Sequence, residues 1–226
     1  MSYFVTGTDT GVGKTLISCA LLHGFSAQGK RVVGMKPVAA GLADDGMHED
    51  VRRLRAAGNV RADLEQVNPY CFAAAVAPHL AAQFVGVIID LVRIVESFTE
   101  LSAQADEVIV EGAGGFAVPL NAIQDSADLV VRLDLPIILV VGMRLGCLNH
   151  ALLTVEAIAA RGLTLAGWVA NVREENMAML EGNIAALQQR ISAPLLGVVP
   201  YQLRPEAIEV ANLLNFKLLE QEDRND

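Results

Sequence analysis

Two spacings of apolar residues alternate along the chain. Short continuous apolar runs predict β-strands, and segments in which apolar residues recur every three or four positions predict helices. The predicted strands cover residues 3–6, 32–35, 107–110, 136–141, 166–170 and 195–199. Helical spacing is found from 14 to about 29, after residue 50, around 88–95, from about 146 to 161, and up to about 191.

This alternation predicts an α/β fold with a mostly parallel central sheet and helices on both faces. The run at 136–141 is apolar throughout, as expected for a strand that is covered on both sides. No repeat or linker interrupts the pattern, so we expect one domain over residues 1–226, with a frayed polar tail at about 220–226. Ligands of such sheets bind beyond the carboxyl ends of the strands.

Composition narrows the functional classes. With 53% hydrophobic and 19% charged residues the chain is typical of a globular protein, and its net charge of −9 argues against nucleic-acid binding. The three cysteines are far apart and form no C-x-x-C pair, which predicts free core thiols in a reducing cytoplasm. The uncharged stretch 72–89 contains Pro78 and Gln83 and leads into amphipathic helical spacing. It therefore does not predict a membrane span, and a strand beginning at residue 3 argues against a signal peptide.

The segment TGTDTGVGKT, at residues 6–15, resembles a phosphate-binding loop with a displaced first glycine. The pattern G-x-x-x-x-G-K-[ST] requires glycine at position 8, where the chain has Thr8 and carries Gly7 instead. A strand precedes the segment and a helix follows it, which is the context of a phosphate cradle. Lys14 is then expected to reach the terminal phosphates, and the Thr15 hydroxyl to ligate Mg²⁺. The loop glycines that allow backbone N–H groups to face an anion are Gly11 and Gly13.

Polar residues also follow the other predicted strands. Lys36 supplies a second cation for phosphoryl transfer, and Glu111 ends an apolar strand where packing gives no reason for an acid. Asp50 begins a helix, a position that suits either a metal ligand or a carboxylate stabilised by the helix dipole. His79 and His150 have no evident carboxylate partner, so structural roles are favoured for both.

Seven motifs in order make the chain similar to the dethiobiotin synthetase family from about residue 2 to 210. They are GTDTGVGKT at 7–15, KPVAAG at 36–41, VNPYCF at 67–72, VEGAGG at 110–115, GCLNHALLT at 146–154, LAGWVAN at 165–171 and PLLGVVPY at 194–201. That family also has its first loop glycine in the displaced position. The resemblance implies an Mg²⁺- and ATP-dependent ring closure in biotin synthesis, acting on 7,8-diaminopelargonic acid and CO₂ through a carbamate and a carbamic-phosphoric anhydride.

The resemblance also implies residue roles in a homodimer. Lys14 and Lys36 would be catalytic, and Thr15, Asp50 and Glu111 would hold Mg²⁺. ATP would be bound by Gly11, Val12, Gly13, Lys14, Thr15, Leu16, Asp50, Glu111, Gly112, Ala113 and Gly114, and near the base by Asn171, Pro200, Tyr201, Gln202 and Glu206. The diamine site would include Thr10, Lys36 and Ala40 and, from the other subunit, Gly146, Cys147, Leu148 and Asn149 at a helix N-terminus suited to a carboxylate.

One departure from the family lies beside the expected carbamate. The family motif KPVA-[ST]-G carries a hydroxyl where this chain has Ala40, so a hydrogen bond is predicted to be lost or supplied by water or Thr10. Two rival functions follow. One is an ATP-binding member that does not turn over. The other is a partitioning-type switch ATPase, whose K-G-G-x-G-K-T loop carries a lysine where this chain has Asp9.

Overall fold

A computed structural model describes residues 2–43 and 46–219. The main sheet consists of β1 (Tyr3–Gly7), β2 (Val32–Met35), β5 (Glu107–Glu111), β6 (Ile137–Met143), β7 (Leu165–Val172) and β8 (Leu195–Val199). Its strands are all parallel, in the order β2-β5-β1-β6-β7-β8. Each of the six predicted strands is present, and no strand end differs from its prediction by more than two residues. The tail predicted at about 220–226 lies outside the described residues.

Helices lie between the strands along the chain and also follow the last strand. They are α1 (Lys14–Ala27), α2 (Glu49–Ala57), α3 (Leu64–Val67), α4 (Pro78–Phe84), α5 (Leu91–Gln104), α6 (Ser126–Leu133), α7 (Cys147–Ala160), α8 (Leu180–Gln188) and α9 (Ala207–Ala211), with a 3₁₀ turn at Phe216–Leu218. No helix in the described part of the chain is long and apolar enough to cross a bilayer.

Successive residues of a strand point to opposite faces, and the core is divided accordingly. On β1, Phe4 packs in a cluster with Ile94 of α5 and Val130 of α6. Val5 packs on the other face against α1, in a cluster that contains Ile17. The predicted three-layer fold with helices on both faces is therefore confirmed.

A second, two-stranded parallel sheet was not predicted. It pairs β3 (Val38–Ala40) with β4 (Tyr70–Phe72) and lies beyond the end of β2. Three-residue strands are too short to give a periodic signal. The prediction of core thiols is correct for Cys19 and Cys147 but wrong for Cys71, which is free but exposed, because the pleat of β4 turns it away from its buried neighbours.

The helix predicted around residues 88–95 begins later than its apolar pattern suggested. It starts at Leu91, capped by the side chain of Asp90, and buries Leu91, Ile94 and Leu101. Ile88 precedes the helix and is 78% exposed. The single-sequence pattern therefore identified the helix but assigned part of its buried face incorrectly.

Close packing around the edge strand β8 makes one glycine indispensable. A Cβ added to Gly197 would lie 2.3 Å from the backbone oxygen of Leu213, whereas one added to Gly182 of α8 has nothing closer than 3.8 Å. We predict that Gly197→Ala lowers the free energy of unfolding by about 1–3 kcal/mol through overpacking. The matched Gly182→Ala is expected to raise it by up to about 1 kcal/mol, since alanine favours a helix. Urea denaturation of both variants tests this. Equal effects would contradict the packing argument.

Candidate active site

The loop between β1 and α1 is shaped by glycines and by one buried amide. Gly13 has φ 98°, and a Cβ there would lie 2.1 Å from Nδ2 of Asn171. That nitrogen donates a 2.7 Å hydrogen bond to the carbonyl of Val12, so Asn171 supports the loop from behind. A Cβ on Gly7 would lie 2.6 Å from the Val12 side chain, which gives a physical reason for the displaced first glycine.

Four predicted polar residues converge at the start of α1. The Thr15 hydroxyl lies 2.8 Å from Oδ1 of Asp50 and 2.9 Å from Oε1 of Glu111. Nζ of Lys36 lies 2.6 Å from the same Oε1 and 2.9 Å from Oδ2 of Asp50. Residues from four separate segments thus form one charged network.

Each segment positions its residue for a local reason. Lys36 follows β2, and Glu111 is the last residue of β5, so both lie at the carboxyl end of the sheet. Asp50 lies in the first turn of α2, where its N–H donates to the ring of His48, the N-cap residue. Thr15 lies in the first turn of α1. The parallel sheet brings these segments together.

Burial and charge tune the ionisable groups. Burial, reinforced by the charge of Lys36, lowers the pKa of Lys14 from 10.5 to about 8. Burial alone would lower the pKa of Lys36, but Glu111 and Asp50 outweigh it and raise that pKa. For Asp50 burial acts to raise the pKa, and Lys36 and Thr15 outweigh it, so the carboxylate stays ionised.

The donor set fits Mg²⁺. Glu111 is 1% exposed, and its Oε2 is buried without a hydrogen-bond partner among the described residues, so it has a free lone pair beside Thr15 and Asp50. Residues 2–43 and 46–219 contain no group of three or more His, Cys, Asp or Glu side chains that could hold a metal alone. Two carboxylates and a hydroxyl match the preference of Mg²⁺ for a few protein oxygens completed by water and phosphate.

A cavity of about 1140 Å³ opens over this network. The predicted residues that line it are Thr10, Gly11, Gly13, Lys14, Thr15, Leu16, Lys36, Ala40, Asp50, Glu111, Ala113, Gly114, Tyr201 and Gln202. Among the described residues, its lining does not include Val12, Gly112, Asn171, Pro200, Glu206, Gly146, Cys147, Leu148 or Asn149. Val12, Asn171 and Cys147 are buried, whereas Gly146 and Asn149 are exposed at the start of α7.

The cavity also contains cations that were not predicted. Arg53 and Arg173 line it. Arg53 lies three residues after Asp50, hence on the same face of α2, and Arg173 lies two residues after Asn171. Helical periodicity counted from Asp50 could therefore have identified Arg53, whereas Arg173 lies beyond the last residue of β7 and Asn171 itself does not line the cavity.

A strand-loop-helix phosphate cradle on a parallel sheet defines a P-loop nucleotide-binding protein. Solved structures agree on the fold. The septum site-determining protein MinD from Pyrococcus horikoshii, complexed with Mg-ADP, has a TM-score of 0.58 at 17% identity, covering 99% of this chain and 97% of that chain. A ParA family ATPase from Chlorobium tepidum has a TM-score of 0.53 at 13% identity, covering 99% and 94%.

Sequence similarity is more specific. A family model described as "AAA domain" matches residues 1–207. The ATP-dependent dethiobiotin synthetase of Nitrosospira multiformis is 55% identical, covering 95% of this chain and 94% of the relative. That of Aromatoleum aromaticum is also 55% identical, covering 95% and 97%. The chain belongs to the ATP-dependent dethiobiotin synthetase family, whose members are ligases.

The lowered pKa of Lys14 predicts how nucleotide binding depends on pH. Phosphate favours the protonated lysine, so ATP affinity should be constant below about pH 7 and fall as Lys14 of the free protein loses its proton near pH 8. Calorimetric titration of the protein with ATP and Mg²⁺ from pH 6.5 to 9.5 measures this. Lys14→Arg, whose charge persists, should bind with a flatter profile. An unchanged bend in that variant would assign the titration to another group.

Proposed function

We propose that the protein closes the cyclic urea of dethiobiotin from 7,8-diaminopelargonic acid, CO₂ and ATP. The observation that carries the proposal is the convergence of Lys14, Lys36, Thr15, Asp50 and Glu111 in one cavity above the phosphate loop. Membership of the synthetase family supports the same reaction.

The proposed ring closure has three steps. One amine of the diamine adds to CO₂ and loses a proton, giving a carbamate. A carbamate oxygen attacks the γ-phosphorus of ATP, and ADP leaves, giving a carbamic-phosphoric anhydride. The second amine attacks the carbamoyl carbon, the C–O bond to phosphate breaks, and phosphate leaves as the urea ring closes with loss of a proton.

The two lysines supply the positive charge that this sequence requires. Lys14 begins α1 beneath the loop, and we assign it to the phosphate oxygens. Lys36, already paired with two carboxylates, is assigned to the carbamate and the transferring phosphoryl group. Both lysines are buried, so their charges are less screened than they would be in water.

Thr15, Asp50 and Glu111 are proposed to hold Mg²⁺. When bound, the ion would neutralise charge on the ATP phosphates. The unpartnered Oε2 of Glu111 supports this assignment, because a buried carboxylate oxygen without a partner is otherwise costly.

The outer parts of the site are assigned by family resemblance. Asn171, Pro200, Tyr201, Gln202 and Glu206 are proposed to surround the base. The exposed start of α7, at residues 146–149, is proposed to receive the carboxylate of the diamine bound by the other subunit of a homodimer. We further propose that the protein acts in the cytoplasm.

The decisive experiment measures phosphate release and dethiobiotin formation together. Purified protein with ATP and Mg²⁺ is assayed with and without bicarbonate and the diamine, and dethiobiotin is detected by mass. We expect release to require both co-substrates and to match product formation. Lys36→Arg keeps the positive charge that Glu111 and Asp50 require but displaces it, so this variant should slow product formation with ATP binding retained.

The same assay separates the rival functions. Phosphate release that is indifferent to the diamine would overturn the proposal and favour a switch ATPase. ATP binding without release would favour a member that does not turn over, with Ala40 as the first residue to restore.

The alanine at position 40 predicts how a hydroxyl placed there would change kcat. It lines the cavity at the end of β3, where the family carries a hydroxyl. A hydrogen bond to a charged group contributes about 1.5–3 kcal/mol, so Ala40→Ser is expected to raise kcat by roughly 10- to 150-fold. Ala40→Cys, similar in size but a weak donor, should leave kcat nearly unchanged. An equal or lower rate for the serine variant would mean that the hydroxyl contributes nothing here.

A further inference from the structure

Asp9 uses its carboxylate to fix the upstream half of the phosphate loop. Its Oδ1 accepts a 2.7 Å hydrogen bond from the N–H of Thr10, and its Oδ2 pairs with the guanidinium of Arg144. The hydrogen bond from Thr10, with a smaller contribution from Arg144, lowers the pKa of Asp9. The residue is therefore ionised and held from two directions.

The backbone of Asp9 carries this constraint to Lys14. Its carbonyl accepts a 3.1 Å hydrogen bond from Nζ of Lys14. The same oxygen would lie 3.2 Å from a Cβ on Gly7, so it is closely packed against the end of β1. Any movement of Asp9 therefore moves the anchor point of the lysine assigned to the phosphates.

Arg144 is attached to a rigid part of the fold. It directly follows β6, and its carbonyl accepts a 3.0 Å hydrogen bond from the N–H of Cys147, the first residue of α7. Thr8 also bonds to this strand, since its N–H donates to the carbonyl of Val140 at 3.0 Å. The loop is thus tied to β6 through both its backbone and the Asp9–Arg144 pair.

The exposure of the pair argues for a role other than stability. The side chains of Arg144 and Asp9 are 39% and 46% exposed, and exposed ion pairs contribute little to folding. The side chain of Arg161 is 37% exposed, so it serves as a comparison of similar exposure. Its pairs with Asp125 and Asp128 brace the capping box of α6. The Asp9–Arg144 pair instead braces a loop that lines the cavity.

We infer that the Asp9–Arg144 pair is a positioning device that holds the phosphate loop and Lys14 in the arrangement that binds the nucleotide. When ATP binds, Lys14 exchanges the Asp9 carbonyl for phosphate oxygens, and the pair keeps the loop from collapsing. Preorganisation of this kind reduces the ordering cost of binding. The inference rests on the proposed function only for the choice of nucleotide.

A double-mutant cycle tests the inference in the full-length protein. Asp9→Asn keeps an oxygen for the Thr10 N–H but removes the charge that Arg144 requires, and Arg144→Gln removes the other partner. ATP affinity is measured by calorimetry with Mg²⁺ but without diamine or bicarbonate. We expect each single variant, and the double variant, to weaken ATP binding by the same factor, on the order of tenfold.

Two further readouts separate positioning from structural damage. Thermal unfolding should be nearly unchanged in all variants, and Arg161→Gln should bind ATP as the parent protein does. Arg144→Lys should restore part of the affinity.

Three results would overturn the inference. Multiplicative losses in the double variant would mean that the two residues act independently. A loss in Arg144→Gln but not in Asp9→Asn would assign Arg144 to direct phosphate contact. Unchanged or tighter ATP binding in both single variants would remove any positioning role. Dethiobiotin formation is assayed separately, so failure of the proposed reaction would leave the binding cycle interpretable.

Discussion

Compensation of buried charge is the constraint on which the site depends. Lys36 and Glu111 are almost completely buried, and neither ionised side chain would be tolerated there alone. Their 2.6 Å contact, shared with Asp50 and Thr15, balances the charges while leaving one oxygen of Glu111 without a partner. The same network that permits these charges to be buried therefore also provides ligands suited to a cation.

The parallel sheet is what allows the network to form. β2 and β5 are neighbours in the sheet and point the same way, so Lys36 and Glu111, 75 residues apart, meet at one edge. β1 lies next to β5 and delivers the phosphate loop to the same edge, and α1 then carries Thr15 into contact. Packing of both faces by helices holds these strand ends in place. Small shifts in register would therefore separate the charges rather than only loosen the core.

The phosphate loop is held in place by residues that are distant from it in the sequence. Asn171 lies behind the loop, bonded to Val12, and Arg144 lies beside it, paired with Asp9. Neither support belongs to the loop sequence. Asn171 lies in β7 and Arg144 directly follows β6, and these two strands are adjacent in the sheet.

Local pattern alone determined the six main strands, the helix after the loop and the positions of Lys14, Lys36 and Glu111. Strand runs, glycine spacing and an acid at the end of an apolar strand are properties of neighbouring residues, so they can be read from sequence. Tertiary structure decided the rest. The β3–β4 pair, the exposure of Cys71, the support of the loop by Asn171 and the approach of Arg173 to the cavity depend on segments far apart in the chain. Local propensities do not predict such contacts, because these contacts are stabilised by packing and charge pairing across the folded sheet.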